Sequence, residues 1–160
     1  KGLNEGHDMM GNELSGATDY YAGAVVNPGA DTEASFEMQL LKMEKKIEAG
    51  AKFFQTQAVY EPAKFEKFMK RVEGFGVPVM AGIILLKSPG MARFMNKNVA
   101  GVHVPDALID EMAEAEDRPM KSVDIASRLI REVKEICQGV HIMPLGWEKR
   151  VPAVLEGAGL

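Results

Sequence analysis

Short apolar runs alternate along this chain with longer stretches in which apolar side chains recur every three or four positions. The first run, 20–26, is flanked by turn residues and predicts a buried strand. Asn27-Pro28-Gly29-Ala30-Asp31 then turns the chain, with Asp31 the expected N-cap of a helix. Phe36, Leu40, Met43 and Ile47 form one apolar stripe at i, i+4, i+7 and i+11, and Gly50 closes that helix. A second strand is predicted at 53–57. Pro62 opens a second helix with Phe65, Phe68, Met69 and Val72 on its buried side. A third strand covers 77–84, and Ser88-Pro89 starts a helix that turns Met91 and Met95 inward. An extended piece at 102–104 leads to a helix over 106–115. Asp117-Arg118-Pro119 reads as a break and Ser122 as the start of the next helix. Ala126, Leu129, Ile130, Val133 and Cys137 mark its buried face, and Gly139 its end. A fourth strand at 140–143 and a last helix at 148–158 complete the pattern. The residues before about 19 carry no period and read as loop.

Strand followed by helix, four times, with continuously apolar strands, is the signature of an α/β fold with a parallel sheet. A closed (β/α)8 TIM barrel takes roughly 250 residues, and four parallel βα units are half of its eight. The chain opens like the tail of a helix and stops soon after the fourth unit. Residues 1–160 are therefore read as a single region, the C-terminal half of such a barrel and a fragment of a longer chain. An open doubly wound sheet is the alternative. No Gly-x-Gly-x-x-Gly follows the first strand and no P-loop occurs, which disfavours dinucleotide and NTPase folds.

The 160 residues suffice for one core, and the net charge of −4 gives nucleic acid nothing to bind. No apolar run is long enough to span a membrane and no signal-peptide layout is seen. The single cysteine, Cys137, excludes an internal disulfide and any multi-cysteine metal site, so a reducing, cytoplasmic setting is expected. His103 and His141 lie in apolar pieces and read as core histidines, and the methionines read as core filling. No metal site is assigned.

Phe53-Phe54-Gln55-Thr56-Gln57 places two glutamines on one face of a strand, with Phe54 and Thr56 on the other. An unpaired buried amide costs roughly 1–3 kcal/mol, so each needs a partner. A flat heterocycle offering donors and acceptors would serve, and so would neighbouring strands and water. On the first helix, Gln39, Lys42 and Lys46 share a stripe beside the apolar face, with Lys45 slightly behind. The stripe suits a phosphate rim, or equally the C-terminal end of the helix dipole and a solvated face. At the predicted strand ends no nucleophile meets a base and no two carboxylates converge, so no catalytic residue is assigned.

The run from Lys45 to Gln57 (Lys-Lys-Ile-Glu-Ala-Gly-Ala-Lys-Phe-Phe-Gln-Thr-Gln) resembles the middle of the methylenetetrahydrofolate reductase family. Val77-Pro78-Val79-Met80-Ala81-Gly82-Ile83-Ile84 and Gly139-Val140-His141-Ile142-Met143-Pro144-Leu145-Gly146 resemble its later strands, and the opening Gly2-Leu3-Asn4-Glu5-Gly6 and the turn at Asn27-Pro28-Gly29-Ala30-Asp31 are also similar. The resemblance implies a (β/α)8 barrel that binds FAD and passes a hydride from NADH or NADPH, through the flavin, to methylenetetrahydrofolate. It implies that Gln57 hydrogen-bonds the folate pterin. Lys46 would lie near the flavin phosphates, with Gln39, Lys42 and Lys45 neighbouring the same cofactor. Trp147 stands where an arginine or another polar residue is expected, and Leu85 where many relatives have proline. The family's general-acid glutamate and its flavin-holding Arg-Gly-Asp segment belong to strands outside these residues.

The expectation is thus part of a flavoenzyme that reduces 5,10-methylenetetrahydrofolate to 5-methyltetrahydrofolate, with the isolated 160 residues inactive. Expected partners are the folate substrate, a second copy of the chain, the missing N-terminal half or a methyltransferase, with no nucleic acid and no membrane. The alternative is a non-catalytic half-barrel that serves binding or assembly by covering its unpaired sheet edges.

Overall fold

The computed structural model describes residues 1–30 and 32–160. Four strands, β1 (Gly23–Val26), β2 (Phe53–Ala58), β3 (Val79–Ile84) and β4 (Gly139–Met143), form one parallel sheet in the order β1-β2-β3-β4. Helix α1 (Glu33–Glu48) connects β1 to β2, and α2 (Pro62–Val72) connects β2 to β3. Three helices, α3 (Pro89–Asn98), α4 (Asp106–Glu114) and α5 (Arg118–Val133), fill the crossover to β4, and α6 (Val151–Ala158) follows it. Strand order follows chain order without reversal, whereas a doubly wound sheet reverses at a switch point. The molecule is an arc of a (β/α)8 barrel.

One face of the arc is packed and the other open. Phe54, Thr56 and Ala58 of β2 and Val79, Ala81 and Ile83 of β3 are buried with Phe65 and Phe68 of α2 and Ile125 and Ile130 of α5 in one core. The opposite face carries Val25, Gln55 and Met80 in neighbouring ladder positions. Val25 is 59% exposed there. Among the described residues nothing covers this face, as expected for the inner face of a barrel arc.

Local chemistry sets the element ends. Asp31, the expected cap, lies outside the described residues. Thr32 caps α1 instead: its hydroxyl accepts from the Ser35 amide at 3.1 Å, and its own amide donates to the Ser35 hydroxyl at 3.1 Å. The break expected at 117–119 is a helix start. Asp117 accepts from the Met120 amide at 3.0 Å and Pro119 occupies the first turn, where its missing N–H costs nothing. Helix α5 ends at Val133, so Cys137 lies beyond it, half-buried, and Gly139 opens β4 rather than stopping a helix. Tyr20 and Tyr21 fall outside β1, where exposed Tyr21 stacks on Phe53 at 5.8 Å. The leading loop holds a 3-10 turn (Gly2–Glu5) and an antiparallel bridge between His7 and Glu13. No described helix is long and apolar enough to cross a membrane.

Candidate functional site

The carboxyl ends of β1 to β4 and the loops after them form one rim, the end at which parallel α/β folds gather ligands. Its centre is an irregularity in β2. The ladder to β3 runs in register from Phe54–Val79 through Gln55–Met80, then shifts, so that Ala58 faces Gly82. Within the shift the Thr56 hydroxyl accepts the Gly82 amide at 2.9 Å and donates to the Gln57 carbonyl at 2.7 Å. Pairing resumes where the Val59 amide meets the Gly82 carbonyl at 2.8 Å. Only glycine fits at 82, because a Cβ there would stand 2.5 Å from the Thr56 carbonyl oxygen. Bulges of this kind re-aim side chains beside sites.

Gln57 sits in that bulge and is exposed on the open face; Gln55, two residues back, is half-buried. Neither side-chain amide has a hydrogen-bond partner among the described residues. Both point to the side that the described residues leave uncovered, and within these residues neither is a core amide tied to a neighbouring strand.

Lys46 reaches the same rim from α1, its ammonium 2.6 Å from the Val25 carbonyl. Val25 pairs with Gln55, so this ammonium ends one strand over from the amide row. Two of its three N–H groups remain available to an anion. Gln39 is half-buried, and Lys42 and Lys45 are exposed on the helix surface. The structure thus gathers Lys46 and the glutamines at one rim and leaves Lys42 and Lys45 farther out.

The loops around the rim are stitched together. Gly101 lies so close over Asn27 that a Cβ would fall 1.7 Å from the Asn27 amide nitrogen. Asn96 brackets Val104, donating to its carbonyl at 2.9 Å and accepting its amide at 2.7 Å. The 102–104 piece is therefore an anchored loop and not a strand. His103 is exposed, with Nδ1 3.0 Å from the Glu61 carboxylate, which also holds Lys64 at 2.8 Å. It is not the core histidine expected. Tyr60 is buried and donates to the Ile84 carbonyl at 3.0 Å, and burial pushes its phenol well above the ordinary range.

Beyond β3 and β4, Lys87 donates to the Leu145 carbonyl and stands 5.5 Å from the Trp147 ring centre. Leu145 holds a left-handed backbone at φ 53°. Glu148 is held below the usual carboxylate range by hydrogen bonds from its own amide and from the Gly146 amide, with Lys87 adding attraction. Among the described residues, no three His, Cys, Asp or Glu side chains cluster as a metal site would require.

The model of one family, methylenetetrahydrofolate reductase, matches residues 7–159. The chain belongs to the methylenetetrahydrofolate reductase family. It is similar to methylenetetrahydrofolate reductase 2 of Schizosaccharomyces pombe, with 29% identity over 130 residues covering 72% of this chain. The same stretch is 20% of that relative, so the chain spans about a fifth of its length.

The donor set fits the flavin that a methylenetetrahydrofolate reductase implies. The Lys46 ammonium at the edge of β1 suits phosphate, and amides without a partner among the described residues suit a heterocycle with donors and acceptors. Two features of the site escaped the sequence reading, the Thr56–Gly82 bond and the Tyr60 tie to β3. A glycine inside a strand pattern and a hydroxyl on the buried face of an apolar strand were the available signals.

Proposed function

We propose that this chain supplies the C-terminal half of the barrel of a methylenetetrahydrofolate reductase, which reduces 5,10-methylenetetrahydrofolate to 5-methyltetrahydrofolate with NADH or NADPH. Gln57 carries the proposal. Gln57 is exposed in a strand bulge at the ligand end of the sheet, and its amide has no hydrogen-bond partner among the described residues. There it binds the pterin edge as donor and acceptor together and orients the folate ring. Lys46 holds a phosphate of FAD, and Gln39, Lys42 and Lys45 extend that contact along α1. FAD, when bound, relays the hydride between nicotinamide and folate. Family membership and the chemistry of these side chains support this reading. The 160 residues alone are expected to show no turnover, and a cytoplasmic setting belongs to the same reading.

The test is Gln57→Ala in the full-length protein that carries this segment. Losing a hydrogen-bonded amide costs about 1–3 kcal/mol, so the KM for methylenetetrahydrofolate should rise about tenfold or more. Flavin reduction by NADH or NADPH, followed by stopped-flow absorbance, should keep its rate. An unchanged folate KM, or equal loss in both half-reactions, overturns the assignment.

A further inference from the structure

The two flanks of α1 carry different chemistry. At about 100° per residue, Gln39, Lys42 and Lys46 lie on one flank, while Glu33 and Glu37 lie on the other, toward α2. Between α1 and α2 on that second side is a cavity of about 460 Å³, a size within the roughly 300–1,000 Å³ of small-molecule sites. Its floor is apolar, from Pro28 and Phe36; the α2 wall is the cationic row Lys64, Lys67, Lys70 and Arg71, and Thr32 and the Glu33 carboxylate line the α1 wall. That row comes from a single helix in a chain of net charge −4.

The cations are already arranged around anionic oxygens. Arg71 lies 5.2 Å from the Phe36 ring centre, and its two terminal nitrogens hold Glu33, at 3.1 Å, and Glu37. Lys64 holds Glu61 at 2.8 Å and Lys70 holds Glu66 at 2.7 Å. Lys67 is exposed and forms no ion pair among the described residues. Exposed pairs like these contribute little and exchange readily, so a ligand with several negative oxygens can replace the carboxylates while Lys67 adds a new contact. A fixed guanidinium fork matches phosphate in particular.

We infer that the α1–α2 groove is a second anion site that takes a di- or triphosphate group and is separate from the Lys46 flank. Free pyrophosphate and a nucleotide share this chemistry, and the test distinguishes them. Sodium pyrophosphate, ADP and adenosine are titrated into the full-length, FAD-loaded protein by calorimetry at low and at raised salt. Saturable pyrophosphate and ADP binding that weakens with salt is expected, with none for adenosine. Tighter ADP than pyrophosphate binding identifies the nucleotide as the ligand, and equal binding the free polyanion. Lys67→Glu and Lys64→Glu, both exposed changes, should each weaken binding about tenfold, with flavin content and turnover unaffected. Absent saturable binding, binding indifferent to both variants, or binding seen only after FAD is stripped would overturn the inference. The last result would place the anion on the flavin flank. None of these outcomes depends on what Gln57 binds.

Discussion

Thr56 does with a hydroxyl what the backbone of β2 does elsewhere with a carbonyl. By accepting the Gly82 amide it lets the ladder slip without leaving a buried N–H unpaired, and the slip is where Gln57 turns outward. Thr56→Val keeps the shape and removes the acceptor, so it should cost about 1–3 kcal/mol in urea unfolding, with Thr56→Ser recovering most of it. A Thr56→Val midpoint equal to wild type would show that the bond contributes nothing. Tyr60 offers a pH test of the same region. Its folded-state phenol titrates above its unfolded value near 10, so its contribution is complete below about pH 10 and is lost as pH rises through the folded value. Stability in alkaline titrations should therefore fall less steeply in Tyr60→Phe than in wild type, and equal slopes would contradict the burial argument. At this scale the sequence displayed which side chains share a face of β2. It hid which face was covered, because alternation places Gln55 with Gln57 whether or not anything packs above them.

Elements were legible where their periodicity was strong and less so at their ends. The stripes of α1 and α2 come from apolar spacing that no other structure satisfies, and both helices stand where the pattern placed them. The start of α5 was misread because proline both opens and breaks helices. The deciding feature was the Asp117 side chain, which caps the Met120 amide. The end of α5 was misread because Cys137 fits the apolar period after the helix has stopped. The entry into α1 rests on the reciprocal Thr32–Ser35 pair. Thr32→Ala should destabilise the protein by about 1 kcal/mol in thermal or urea unfolding, and no change would mean the first turn of α1 is held by packing alone.

For the whole molecule, the uninterrupted strand order is what separates a barrel arc from a doubly wound sheet, and no local pattern carries that information. Length and repeated strand–helix units narrowed the choice, and tertiary pairing decided it. The same arc explains why the candidate site is half visible: β1 and β4 are edges among the described strands, and the amide row faces the space that a closed barrel encloses. The most direct measurement of this account is a crystal structure of the full-length protein with FAD and methyltetrahydrofolate bound. The account predicts the Gln57 amide at about 2.7–3.2 Å from ring nitrogen or oxygen atoms of the folate, on the open face of β2. A folate bound elsewhere, or a Gln57 amide satisfied by another strand of its own barrel, would contradict it.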